Sequence, residues 1–243
     1  MFGRQVLAEL TNRYGSFSVE DLLYNGRRAR VLFNGPNRAA QSGIALDGNP
    51  RLLFDYNQYL LDIAVKLGPR NILMLGGGTM TLPMALMKQL PSSAITVVEI
   101  NHDLIDLARK FFGYHPIPSL KVIINDAKDF VSETKTSYEL ILIDIFNAFN
   151  IPSEFRNQEF ASQLARILLP GGVVATNCIA ALSGPLAAPA LEIASSYRKQ
   201  IGPIKIVSVD KGFFSSTPQN LLILSGRDIK TQFKDLSEAY LAR

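Results

Sequence analysis

Asn71-Ile72-Leu73-Met74-Leu75-Gly76-Gly77-Gly78-Thr79 decides how this chain is read. An apolar run ends in three glycines, and a stretch with helical spacing, Leu82 to Gln89, follows. A short apolar run closed by glycine reads as a buried strand entering a tight turn. Glycine lets the main chain turn sharply there and approach a ligand, because no Cβ intervenes. Glu99 closes a second apolar run, Ala94 to Val98, 21 residues after Gly78. An acid in that place can accept the protons of both ribose hydroxyls. Strand, glycine turn, helix, strand, acid predicts a nucleoside-bearing cofactor.

Working outward, apolar runs predict strands at Ile72 to Leu75, Ile95 to Glu99, Lys121 to Ile124, Leu140 to Asp144, Val173 to Asn177, Ile204 to Val209 and Leu221 to Leu224. Helical spacing falls at Tyr56 to Leu67, Leu82 to Gln89, Asp103 to Phe112, Ala127 to Glu133, Ser153 to Leu168 and Ala187 to Gln200. Such alternation predicts an α/β, Rossmann-like fold with helices on both faces of a central, mostly parallel, seven-stranded sheet. From Phe17 to Phe54, short apolar segments alternate with the turn signals Tyr24-Asn25-Gly26, Asn34-Gly35-Pro36-Asn37 and Asp47-Gly48-Asn49-Pro50. These predict a small antiparallel β unit. The expected organisation is an N-terminal β-hairpin subdomain over residues 1–55 and a nucleotide-binding domain over residues 56–243.

Composition bounds the function. The 243 residues, 47% of them hydrophobic, suit a soluble globule with a substantial core. The net charge of +4 is scattered, and the one tight cluster, Arg27-Arg28-Ala29-Arg30, reads as a solvated hairpin, so no nucleic-acid partner is expected. The single cysteine, Cys178, excludes an intrachain disulfide and reads as a small buried hydrophobe. Two histidines without ligand spacing predict no metal site. The N-terminus shows no signal-like apolar core, and a cytoplasmic location is expected. No residue between Arg166 and Glu192 is charged, yet Pro170, Gly171, Gly172, Gly184, Pro185 and Pro189 break that stretch, which predicts a buried strand and loops rather than a membrane span.

In parallel sheets ligands bind beyond the carboxyl ends of the strands. The residues there are Gly76, Gly77, Gly78 and Thr79, then Glu99, then Asn125-Asp126, then Asp144 to Asn147. Asp126 reads equally as a ligand contact or as the cap of the helix after it. Tyr56, Tyr59, Phe146 and Phe149 are candidates for an aromatic wall, with core packing as the alternative.

The chain also resembles the spermidine synthase family of aminopropyltransferases, built on the class I S-adenosylmethionine methyltransferase fold with a small N-terminal β domain. The resemblance runs through Leu46-Asp47-Gly48, Tyr56-Asn57-Gln58-Tyr59-Leu60, Gly76-Gly77-Gly78, Val97-Val98-Glu99-Ile100, Asp126-Ala127, Ile143-Asp144, Glu159-Phe160 and Leu169-Pro170-Gly171-Gly172. It implies a divergent member with S-adenosylmethionine, or its decarboxylated form, as cofactor. The implied cofactor contacts are Gly76, Gly77, Gly78, Thr79, Glu99, Ile100, Asp126 and Ala127, with Glu99 on the ribose and Asp126 on the adenine amino group. Asp144 would be catalytic, and Tyr56, Gln58, Phe146 and Asn147 would border the acceptor. A homodimer or homotetramer is implied as well.

Departures from the family pattern sharpen this. Where the family follows its glycines with an acid that binds the donor amine, this chain has Thr79; the motif glutamate is Gln58; the second acid of the Asp-x-x-Asp-Pro loop is Asn147. Each unpaired buried ammonium costs several kcal/mol, so three neutralised positions argue against a polyamine acceptor. The change at Thr79 is expected to leave backbone N–H groups of the glycine loop free for the carboxylate of intact S-adenosylmethionine. The expected function is group transfer, most simply of methyl, to a small-molecule acceptor of apolar or neutral character. Aminopropyl transfer and a non-catalytic nucleoside-binding homologue are the alternatives. Thr81 in place of the third glycine of Gly-x-Gly-x-x-Gly argues against a dinucleotide oxidoreductase.

Overall fold

Residues 3–48, 52–147, 150–209, 214–236 and 239 are described by a computed structural model. Strands β1 (Gln5–Asn12), β2 (Gly15–Tyr24), β3 (Arg27–Asn34) and β4 (Ala39–Ala45) form an antiparallel sheet in sequence order. The β2–β3 turn places Asn25 and Gly26 at φ +49° and +78°, the left-handed pair that a tight hairpin requires. The sequence reading began this unit at Phe17 and missed β1. β1 is an edge strand whose residues are all exposed or half-buried, so it carries no strong apolar alternation.

The rest alternates as α1 (Asp55–Leu67), β5 (Asn71–Leu75), α2 (Thr81–Gln89), β6 (Ala94–Glu99), α3 (His102–Phe111), β7 (Leu120–Ile124), α4 (Ala127–Glu133), β8 (Tyr138–Ile143), α5 (Gln158–Ile167), β9 (Leu168–Ala180), α6 (Ala188–Gln200), β10 (Ile204–Ser208), β11 (Gln219–Ser225) and α7 (Ile229–Gln232). Seven strands build one sheet in the order β10-β11-β9-β8-β5-β6-β7, with β11 antiparallel to both neighbours. This is the α/β arrangement of class I methyltransferases. Alternate residues of β5 feed two cores. Ile72 and Met74 join the core under α1 and α2, while Leu73 and Leu75 join the one under α4, α5 and α6. A smaller cluster joins Phe17, Val19 and Leu32 of the first sheet to Leu104 and Phe112 at α3.

Two boundaries differ from expectation. The helix expected from Ser153 is a single 3-10 turn, Ser153–Phe155, and α5 starts afresh because the Asn157 side chain accepts from Phe160 N at 2.9 Å. The strand expected at Val173 to Asn177 runs the full length of β9, and with α6 it absorbs most of the uncharged stretch. Among the described residues no helix is long and apolar enough to cross a membrane. Arg27 and Arg30 of the basic cluster pair with Asp47 and Asp21. Burial pushes the Cys178 thiol up to about 12, the behaviour of a hydrophobe rather than a nucleophile.

Candidate functional site

The glycine turn sets the site. Gly76 and Gly78 have φ of +89° and +51°, and a Cβ on Gly76 would stand 2.2 Å from the carbonyl oxygen of Asp144. A Cβ on Gly77 would meet Val97 Cγ1 at 2.7 Å. The turn is therefore pressed against the ends of β8 and β6 together. Two backbone bonds fix this approach, Gly76 N–H to Val98 O and Asp144 N–H to Leu75 O, each at 2.9 Å. Above it lies a cavity of about 620 Å³, roofed by the first sheet through Phe17, Leu32 and Ser42. That volume lies within the roughly 300–1,000 Å³ range of small-molecule sites.

At one end stands Glu99, buried at the tip of β6. Its Oε2 accepts from Gly77 N and Gly78 N, and its Oε1 from Asn101 N, all at 2.9 Å. A carboxylate has about four lone-pair sites, so acceptor capacity remains for a hydroxyl. This corrects one expectation: the N–H groups of Gly77 and Gly78 are engaged by Glu99 rather than free, because the turn curls them toward β6. Asn101 caps α3 by accepting from Asp103 N at 3.2 Å and also accepts from Asn12 at 3.0 Å; its Nδ2 is buried, without a partner among the described residues. Asp126 caps α4, accepting from Lys128 N at 2.7 Å, and capping does not remove it from the cavity wall. Ile100, 40% exposed, and Ala127 complete an apolar wall.

At the other end Asp144 accepts from the Tyr56 hydroxyl at 3.2 Å and from Asn177 Nδ2 at 2.9 Å. Burial raises its carboxyl to about 6, against the lowering effect of those two donors, and the Glu99 charge adds to the rise. Burial, with the Asp144 charge beside it, holds the Tyr56 phenol well above its usual range. Asn177 Oδ1 in turn accepts from Asn220 Nδ2 at 3.0 Å. Tyr56 stacks on Phe54 with centroids 6.0 Å apart, and Phe54 meets Tyr24 edge-on at 5.8 Å. Charged groups on the cavity wall are Glu99, Asp126, Asp144, Glu154 and Arg13.

Gly76, Gly77, Gly78, Glu99, Ile100, Asp126, Ala127, Asp144, Tyr56, Phe146 and Asn147 all line this cavity. Thr79 and Gln58 do not. Thr79 is fully buried, its hydroxyl donating to Ser42 Oγ at 2.5 Å, because the chain after Gly78 turns it toward β4. Gln58 lies on the exposed face of α1, donating to Asp62 at 2.8 Å, one turn on. The cavity face of α1 carries Asn57 instead, 3% exposed, its Oδ1 unpartnered among the described residues. Asn57 shares the apolar stripe of Leu60, Leu61 and Ala64, and a polar residue in that stripe was the signal available in the sequence. Of the expected aromatic wall, Tyr59 packs into the core and Phe149 lies outside the described residues.

Comparison with known proteins identifies the family. The spermine/spermidine synthase domain model matches residues 53–181, more than half of the chain. The chain belongs to the spermine/spermidine synthase family. A polyamine aminopropyltransferase of Vibrio vulnificus is 28% identical over 131 residues, 52% of this chain and 44% of the relative, so the chain spans under half of that protein's length. A probable spermidine synthase from Corynebacterium glutamicum superposes with a TM-score of 0.78 at 21% identity, covering 91% of this chain and 80% of that one. Human methyltransferase-like protein 13, solved in complex with SAH, superposes with a TM-score of 0.61 at 19% identity, covering 72% of this chain and 82% of that one.

Proposed function

We propose that the protein binds a sulfonium nucleoside, S-adenosylmethionine in preference to its decarboxylated form, and transfers methyl to a small acceptor of neutral character. The observation that carries this is the arrangement of Thr79 and Asn57. The position for which the family resemblance implies an acid is here a hydroxyl sealed against Ser42, and the cavity wall beside it offers Asn57, Ser42 and Thr81, none of them charged. Such a wall suits the zwitterionic end of an amino acid better than a lone ammonium, whose charge would stay uncompensated. Asn57, with a buried acceptor to spare, is the residue for the ammonium. Glu99 is the residue for the ribose, and Ile100, Asp126 and Ala127 would flank the base. The small-molecule character of the acceptor, the cytoplasmic location, and a division of labour between residues 1–55 and 56–243 belong to the same proposal.

A bound sulfonium supplies an activated methyl whose departure leaves a neutral thioether. The protein's part is placement and proton handling. Asp144, ionised at neutral pH, receives the proton that the acceptor heteroatom releases as its new bond to carbon forms, and Tyr56 keeps the carboxylate aimed into the cavity. The second reading is aminopropyl transfer, favoured by Asp144 and Glu154 as acids on the cavity wall.

Calorimetry decides between them. S-adenosylmethionine should bind at least about tenfold more tightly than the decarboxylated form, and Glu99→Ala should weaken it at least about a hundredfold, as expected for loss of charge-assisted hydrogen bonds. Tighter binding of the decarboxylated form, with turnover of putrescine, would favour the second reading, and no binding of either compound would reject both.

A further inference from the structure

Asn177 and Asn220 escaped selection from the sequence, and Asn220 lies beyond residues 53–181, the span of the family match. They stand on adjacent antiparallel strands. Asn220 is paired with Ile179 and Leu222 with Asn177, which makes the two asparagines diagonal neighbours on one face. Asn177 is 1% exposed, and both line the cavity.

A carboxamide has a donor end and an acceptor end, and a buried one that turns around loses the bonds at both. Ionised Asp144 can only accept, so it requires the NH2 of Asn177. Turned the other way, Asn177 would offer its oxygen, and the two oxygens could then meet only with a proton between them. Asn177 therefore has one orientation that matches a carboxylate and one that matches a carboxylic acid. Asn220 discriminates between them, because its Nδ2 donates to Asn177 Oδ1 at 3.0 Å.

We propose that Asn220 is a positioning residue, holding the Asn177 carboxamide with its NH2 toward Asp144 and so keeping Asp144 in the state that takes a proton. The inference rests on the proposed function only in giving Asp144 a proton to take; the orientation itself rests on the two hydrogen bonds. Among the described residues, the other titratable groups on the cavity wall include Tyr56 from α1, Glu99 from β6, Asp126 at the start of α4, Glu154 from the 3-10 turn and Arg13 from the β1–β2 turn; Tyr24 also lines it. None belongs to β9 or β11, so substitution at Asn220 leaves their charges in place.

The test is a carbon-13 NMR titration of the Asp144 carboxyl in the full chain, without donor or acceptor. Asn220→Val removes the amide with a residue suited to a strand. It should raise the Asp144 midpoint by about one pH unit, which is about tenfold in the protonation equilibrium. In an Asn177→Val background the same substitution should move the midpoint little, since the relay is already cut. Should Asn220→Val fail to fold, Asn220→Ser, a smaller change, is titrated in its place with the same expected direction. An unchanged midpoint, or an equal shift in the Asn177→Val background, overturns the inference. A shifted midpoint in a protein that transfers no methyl keeps the inference and rejects the proposed function; donor binding and methyl transfer with an unshifted midpoint do the reverse.

Discussion

The two ends of the cavity are built by different means. Around Glu99 the partners are backbone N–H groups of Gly77, Gly78 and Asn101, supplied by a tight turn and by the residue two positions on. Around Asp144 the partners are the side chains of Tyr56 and Asn177, with Asn220 behind Asn177; the three come from α1, β9 and β11 and meet only when the sheet is assembled. Backbone donors survive almost any local substitution that preserves the turn, whereas a chain of side chains fails at any link. The Glu99 end should therefore tolerate substitution better than the Asp144 end.

Breaking both ends at once needs the element they share. Gly76→Ala should destabilise the fold by about 3 kcal/mol or more in urea unfolding, from a left-handed φ together with a Cβ at 2.2 Å from Asp144 O, and should abolish nucleoside binding in whatever remains folded. A wild-type midpoint would show that the turn is less tightly held than its contacts imply.

Asp144→Asn separates the ends. Turnover should fall about 10²–10⁴-fold while donor affinity changes less than about threefold. The folded-state pKa of Asp144, about 6, lies above its ordinary 3.8, so the ionised carboxyl opposes folding as pH rises through that interval. The asparagine variant should therefore melt higher than wild type at pH 7 and lose that advantage near pH 4. Wild-type activity should decline below about pH 6 as Asp144 protonates, provided the acceptor keeps one protonation state across the range. Equal melting temperatures at pH 7 would argue that Asp144 is better solvated than its surroundings suggest.

The smallest effect is expected on the outer face of α1. Gln58→Ala should alter stability by no more than about 0.5 kcal/mol and leave donor and acceptor affinities unchanged, since the Gln58 side chain is exposed and bonds to Asp62 on its own helix. A tenfold change in acceptor affinity would relocate the acceptor.

The same contrast explains what the sequence disclosed. The strand order's parallel core, the glycine turn and Glu99 were legible because apolar runs, glycines and a closing acid are local signals. β1 was not, because an edge strand needs no continuous apolar face. Gln58 was singled out over Asn57 because motif spacing was followed, whereas helical periodicity puts Asn57 beside Leu60 and Leu61 and turns Gln58 to solvent. Asn177 and Asn220 are 43 residues apart, and nothing local to either announces that strand pairing makes them neighbours.

Among the described residues, the first sheet is stapled to the seven-stranded half by Asn12 to Asn101 and Asp103, by Arg30 to the carbonyl oxygen of Phe111, and by Ser42 to Thr79 and Thr81. Lifting the sheet as a flap would break all three links together. A ligand that left by that route would have to break three separated links at once, so its residence time should shorten when any one of them is removed.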